Sequence, residues 1–332
     1  MSANNTAAKP VIIRDAINMA LADAMADDEK VVVLGEDVAD PEEGGIIGVT
    51  KGLSTRFGEE RVRSTPISEQ AIIGSAIGAS LVGYKPVAEI MIMNFTTVAM
   101  DMIVNHAAKL RYMSGGQTNV PIVIRTMAGA GSSQGGQHAD FLEAWFAHTA
   151  GMKVVAPSNS ADAYGLMRSA IDDPDPVLFI EALPIYWKPG AAPEKGHRVP
   201  IGKAHVEVEG TDVSIISYSR MMNECLTAVE TLRTAGISAE VIDLRTIAPW
   251  DRATVLASVG KTGRCVIVHE AVVPFGVGAE IAAVITEHLF RQLKAPVARV
   301  GAPFTPVPFS KPLETEFLAS PEKIVKAAKA LM

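Results

Sequence analysis

Short runs of β-branched and apolar residues alternate with longer stretches of helical periodicity through the first half of the chain. The runs are VVVLG (31–35), VAEIMIM (87–93), VPIVIRTM (120–127), MKVVAP (152–157) and PVLFIEA (176–182). Between them lie IIRDAINMALADAM (12–25), EQAIIGSAIGASLVG (69–83), AMDMIVNHAAKLRYM (99–113) and SADAYGLMRSAID (160–172). Strands apolar on both faces, separated by helices, predict an α/β layer with a largely parallel sheet covered on both sides. From Leu183 to Pro200 the pattern dissolves into LPIYWKPGAAPEKGHRVP, rich in Pro, Gly and charge, which reads as an interdomain connection. The rhythm then resumes with DVSIISYS, a helix through NECLTAVETLRTAG, SAEVIDL, a helix near DRATVLASVG, RCVIVHE, a helix from about Gly278 to Leu293, and APVARVG. This predicts a second, smaller doubly wound domain, so the chain divides into residues 1–190 and 191–332.

Length supports two domains, since 332 residues exceed the usual size of one. Hydrophobic residues make up 48% and charged residues only 20%, which predicts that part of the apolar surface lies in a subunit interface. A net charge of −7 without a Lys/Arg block argues against nucleic acid. Cys225 and Cys265 lie far apart without metal-ligand spacing, and no HExxH or HxH occurs, so disulfide, zinc and other transition-metal sites lack support. No apolar run is long enough to span a bilayer, and MSANNTAAKP lacks the apolar core of a signal peptide. The expectation is a cytoplasmic protein without a membrane partner.

Three places carry candidate chemistry. In RSTPISEQAIIG (63–74), Glu69 opens a helix of small and apolar residues. A carboxylate there can simply complement the helix dipole. Gly74, Gly78, Ala79 and Gly83 permit another backbone to approach, and a carboxylate desolvated in that way can share a proton near neutral pH. Glu36 and Asp37 close the run VVVLG, where α/β sheets bind ligands, although solvated loop acids look the same. MAGAGSSQGGQHADFLEAW ends in Gly-Gly-Gln-His rather than Gly-Lys-Ser/Thr, which excludes a P-loop. Flexible glycines before His138 suit a mobile loop delivering an imidazole, or a loop histidine of no catalytic consequence. FGVGAEIAA (275–283) lacks the third glycine of a dinucleotide fingerprint, so close helix packing is the expected use.

Taken together and in order, GEDVA, RSTPISEQAIIGSAIG, EIMIMNF, NHAAKLRYMSGG, VPIVIRT, GGQHAD, KVVAPSN and EVIDLRTIAPWD resemble the β subunit of the E1 component of 2-oxo acid dehydrogenases, from about Ile12 to the C-terminus. The resemblance implies a transketolase-like pyrimidine-binding domain for thiamine diphosphate, followed by a smaller α/β transketolase C-terminal-like domain. It also implies an α2β2 heterotetramer with an E1 α subunit and delivery of an acyl group to a lipoyl-bearing E2. In that family the α subunit holds the diphosphate and Mg²⁺ through GDG and NN. This chain has no GDG, so half of the site is expected here, and a self-contained transketolase is excluded.

The resemblance also gives individual residues roles. Ile67, Ser68 and Glu69 belong to the cofactor segment TPISE, with Glu69 paired to N1′ of the aminopyrimidine, a relay that favours deprotonation of the thiazolium. Glu36 corresponds to the glutamate of the GE(D/E)V segment. Phe95 corresponds to the aromatic packed on the ring, with Met91 in the neighbouring position. Branched-chain enzymes look more like Gln and Tyr at those two positions, so the pair points to pyruvate or acetoin as the small-molecule substrate, and GVTKGL and NHAAKLRYM lean toward acetoin. His138 corresponds to the active-site histidine. A potassium site of mainly backbone carbonyls is implied at Ile122, Ala170, Ile171, Asp173 and Asp175, although SAIDDPDP departs from the expected SAIRDNNP. The rival from another class is a non-catalytic scaffold subunit.

Overall fold

The computed structural model describes residues 9–332, so most of the polar N-terminal stretch discussed above lies outside the described residues. The strands in chain order are β1 (Val11–Ile12), β2 (Val31–Glu36), β3 (Val62–Thr65), β4 (Lys85–Ile92), β5 (Val123–Ala128), β6 (Lys153–Val155), β7 (Val177–Ala182), β8 (Pro189–Gly190), β9 (His205–Val208), β10 (Val213–Ser217), β11 (Ala239–Asp243), β12 (Thr246–Ala248), β13 (Cys265–Val272) and β14 (Ala298–Ala302). The first sheet runs β12-β6-β7-β5-β4-β2-β3 and the second β14-β13-β10-β11-β9, while β1 and β8 form a separate pair. Every pairing inside the two large sheets is parallel except those of β12 with β6 and β9 with β11. The expected α/β layers are therefore present.

The helices follow from their spacing. In Ile13–Asp27 the buried residues are Ile13, Ala16, Ile17, Ala20, Leu21, Ala24 and Met25, one apolar stripe at helical period. Asn159 caps Ser160–Asp172 by accepting from Asp162 N–H at 2.9 Å, and Asp251 caps Arg252–Thr262 in the same way. Helices 13–27 and 160–172 cover one face of the first sheet. On the other face, Ile72, Ile73 and Phe146 belong to a core that continues into Tyr218, Ile242, Leu244 and Val255 of the second domain. The two domains thus share one apolar core, and β12 of the second half closes the edge of the first sheet.

One expected helix is not continuous. In the stretch 99–113 a wide, π-type turn at Met102–Ala107 is followed by a short helix at Leu110–Met113, and the Ala108 N–H reaches back to the Ile103 carbonyl at 3.0 Å. Gly151 presses on this break: a Cβ there would stand 1.9 Å from the Ala108 carbonyl oxygen. The helix expected to reach Leu293 ends at Leu289. At its start, a Cβ on Gly278 would come within 2.8 Å of the His269 ring, so FGVG serves close packing. Among the described residues no helix is long and apolar enough to cross a membrane.

Three neighbouring strands of the first sheet each carry one charge in an apolar run. Arg125 on β5 is 2% exposed and donates to Glu89 of β4 (2.5 Å) and with two nitrogens to Glu181 of β7 (2.6 and 2.8 Å). Tyr186 donates to the same Glu181 carboxylate. One guanidinium thus compensates two buried acids, and its removal strands both. Arg125→Met is expected to lower the urea unfolding midpoint by the equivalent of about 3–5 kcal/mol. An unchanged midpoint would show that the cation is not what makes these acids tolerable.

Candidate functional site

The carboxyl ends of β3, β2, β4 and β5, contiguous in the sheet, gather the chemistry. Strand β2 ends at Glu36, in register with Thr65 at the end of β3, and only Pro66, Ile67 and Ser68 separate Thr65 from the helix Glu69–Leu81. Glu69 is the first residue of that helix and 8% exposed. The Ser68 side chain makes no capping bond. Its backbone N–H faces Glu36 instead. Burial raises the Glu36 pKa, and the charges of Glu69, Asp37 and Glu89 push it further up, against the pull of that N–H. Two carboxyl groups are thus brought near one another at the mouth of the sheet.

The segment after β4 and the loop after β5 bring a second group of side chains together at the same end of the sheet. The His138 and Phe95 rings meet edge to face, centroids 5.4 Å apart at 79°. Asn94 fixes this meeting by donating to the Asp140 carboxylate at 2.7 Å and accepting from the Asp140 N–H at 3.3 Å. Burial raises the Asp140 pKa, opposed by the Asn94 bond. Met91, half-buried on β4, lines a small cleft with Gly44, Gly45, Glu89 and Arg125. Ile67 is 83% exposed, so its side chain meets nothing in this chain.

The glycines of the helix behave differently from expectation. A Cβ on Gly78 would meet nothing within 4 Å, and one on Gly74 would touch only Met102. Among the described residues, then, no backbone comes within 4 Å of an added Cβ at either glycine, and Ala71, Ser75 and Gly78 are exposed.

Comparison with known proteins fits this arrangement. Residues 9–186 match the transketolase pyrimidine-binding domain and residues 202–324 the transketolase C-terminal domain. The chain is 46% identical to the pyruvate dehydrogenase E1 component subunit beta-1 of Arabidopsis thaliana, over 97% of this chain and 89% of that protein. It is 44% identical to the acetoin:2,6-dichlorophenolindophenol oxidoreductase subunit beta of Cupriavidus necator, over 98% of each. This chain belongs to the E1 β-subunit family of 2-oxo acid dehydrogenases. Among solved structures, a split-gene transketolase described as an inactive β4 tetramer shares the fold, with a TM-score of 0.78 at 24% identity over 97% of this chain and 98% of that one.

In this E1 β-type chain the five positions expected to bind a cation converge at the opposite end of the sheet. Ile122 precedes β5, Ala170 and Ile171 close the helix 160–172, Asp173 caps it, and Asp175 leads into β7, whose Val177 pairs with Val123. The Asp173 and Asp175 side chains bind Lys153 Nζ at 2.6 and 3.3 Å, and Arg111 holds Asp175 at 2.6 Å. A further carboxylate trio, Asp162, Glu207 and Asp243, has oxygens within 4.8 Å of one another across the domain junction. Arg245 binds Asp162 and Ser158 binds Asp243, so two of the three acids already have partners.

Sequence reasoning also passed over Glu143. It is fully buried beneath the His138 loop, and Tyr218 of the second domain donates to its Oε1 at 2.7 Å. Its Oε2 has no partner. Burial pushes its pKa up to about 8, opposed by the Tyr218 bond and reinforced by Glu270. A raised folded-state pKa means that the native chain keeps a proton which the unfolded chain has released, so stability is lost as pH rises from the ordinary carboxylate range towards 8. Glu143→Gln is therefore expected to gain thermal stability relative to the parent as pH goes from 5 to 8. A Tm difference flat across that range would show that Glu143 is ionised in the fold.

Proposed function

We propose that this chain is the β subunit of a thiamine-diphosphate-dependent E1 that, with an α subunit, decarboxylates pyruvate and passes the acetyl group to lipoyl-E2. The observation that carries the reading is the buried Glu69 beside Glu36 at the carboxyl ends of paired parallel strands. The donor set fits an aminopyrimidine: a carboxyl for a ring nitrogen at Glu69, and an aromatic, Phe95, for the ring itself. Glu36, Ile67, Ser68, Glu69, Met91 and Phe95 would hold that half of the cofactor. The diphosphate and Mg²⁺ fall to the α subunit, because this chain has no GDG. When bound, the coenzyme would supply a nucleophilic carbon for the oxo group and, in its cationic thiazolium ring, a sink for the electron pair released with CO2.

This chain's own residues would manage protons and position. Glu69 holds or exchanges the proton at the ring nitrogen, and close by, burial and then the Glu69 charge raise the proton affinity of Glu36. Phe95 packs on the ring and steers the His138 imidazole through their edge-to-face contact. His138 then stands ready to hydrogen-bond the acyl-bearing group during transfer. Glu69→Gln in the assembled enzyme at saturating coenzyme should lower kcat by about 10²–10⁴-fold. A scaffold subunit would instead leave turnover intact, so that one measurement separates the two readings.

Several features support an α partner in an α2β2 assembly. The exposed face of helix 69–81 offers Ala71, Ser75 and Gly78, over which another helix could pack closely. Ile67, Tyr112 and Phe275 are more than 80% exposed. Acetoin is the second substrate reading, favoured by 98% mutual coverage with the Cupriavidus necator protein. Assays of the purified α/β enzyme with pyruvate, acetoin and branched 2-oxo acids decide between them. Preference for a branched acid would overturn both.

In this reading the domains divide at residue 190, after β8, which is tied to β1 in the first domain. Potassium would lie among the carbonyls of Ile122, Ala170, Ile171, Asp173 and Asp175, whose carboxylates Lys153 and Arg111 already neutralise. Exchanging K⁺ for choline should then lower the Tm, and an identical Tm would remove the ion. Buried, unpaired Cys225 and Cys265 suit a cytoplasmic setting.

A further inference from the structure

The loop that carries His138 leaves β5 in a contorted path, with positive φ at Gly129 (111°), Gly131 (119°), Ser133 (56°) and Gly135 (73°). Such a path forms no ladder with its neighbours, so its backbone groups need other partners. They find them in the second domain. Ala130 N–H donates to Glu270 of β13 at 2.6 Å, and its carbonyl accepts from Arg220. Gly131 N–H donates to Glu314 at 2.6 Å, and its carbonyl accepts from Lys311 at 2.5 Å. Ser133 N–H is shared between both Glu314 oxygens at 3.1 Å. Glu314 is fully buried, and both it and Lys311 lie on the helix Lys311–Phe317.

Packing follows the same pattern. Ala130 and Ala139 share a small apolar core with Ala302, Val307, Phe317 and Leu318. Phe309 and Pro306 lie against Gly135 and Gly136, where added Cβ atoms would stand at 3.3 and 3.2 Å. The first domain holds the far end of the loop through Asn94, which bonds Gly136 and Asp140, and touches the near end only by apolar contact, where Pro184 lies against Gly129 and Gly131. Resting on the role given above to His138, we propose that Glu314 is a positioning residue for that histidine: its carboxylate gathers the Gly131 and Ser133 amides and so lets the second domain set where the imidazole stands. A carboxylate is suited to this task because it accepts several N–H bonds at once and makes stronger ones than a neutral group.

The test uses the enzyme assembled with its α chain and compares Glu314→Ala, Glu314→Gln and His138→Ala. Three quantities are read: amide hydrogen exchange over residues 129–138, decarboxylation with an artificial electron acceptor, and acyl transfer to an isolated lipoyl domain. Glu314→Ala should raise exchange in that segment alone and slow acyl transfer roughly ten- to hundredfold, the scale of an ångström-sized misplacement. Decarboxylation with the artificial acceptor should stay within about twofold, an outcome that general destabilisation would not give. Glu314→Gln, which keeps one acceptor oxygen, should fall between parent and Ala variant, and it carries the test if the Ala variant fails to assemble. Normal acyl transfer or unchanged exchange in the Glu314 variants, with slow transfer in His138→Ala, would overturn the proposal. Normal transfer in His138→Ala would instead overturn the role of the histidine itself.

Discussion

The site depends on keeping two carboxylates close together at the edge of water. Glu36 ends β2 opposite Thr65 of β3, and the three residues after Thr65 lead to Glu69 at the start of the next helix, so that burial and the nearby Glu69 charge raise the proton affinity of Glu36. Glu36 is half-buried and Glu69 almost fully buried, so little water is left to screen one charge from the other.

Charge compensation one layer deeper makes that tolerable. Glu89 also raises the Glu36 pKa, and it is itself bound to Arg125, which a second acid, Glu181, engages from the other side. Arg125 suits this place because its planar fork can meet one carboxylate with two nitrogens and another with the third. The acidic mouth therefore stands on a buried cation within the same sheet, on adjacent strands that cannot shift in register without breaking the fork.

The parallel sheets, most of their helices and the Glu36 and Glu69 positions were legible because they follow from local pattern: β-branched runs, helical spacing and a carboxylate at a helix start. The charge on each of three apolar strands was visible too, in VAEIMIM, VPIVIRT and PVLFIEA, although only register shows that Glu89 and Arg125 lie opposite each other. The break at Ala108 was not legible, since it accompanies the close approach of Gly151, forty-odd residues away in sequence. Strand β12 has three residues and no pattern of its own, and it joins the first sheet only because the shared core brings the domains together. Glu314 looked like one more acid in KPLETEF, and its burial against loop amides is tertiary information.

The same division explains why the fold has two domains that do not separate. A loop rich in glycine can reach a bound ligand, but it gains no fixed shape from its own sequence. Its amides and carbonyls must be satisfied by something rigid, and the first sheet has no free edge nearby, because β12 covers one side and β4 and β7 flank β5. The second domain supplies Glu270, Glu314, Arg220 and Lys311 in that place, anchored on a strand and two helices that share or adjoin the common core. What the first domain gains in reach by breaking its backbone pattern after β5, the second returns as position. The exposed face of helix 69–81 is a similar incompleteness, where an added Cβ on Gly78 would meet nothing among the described residues.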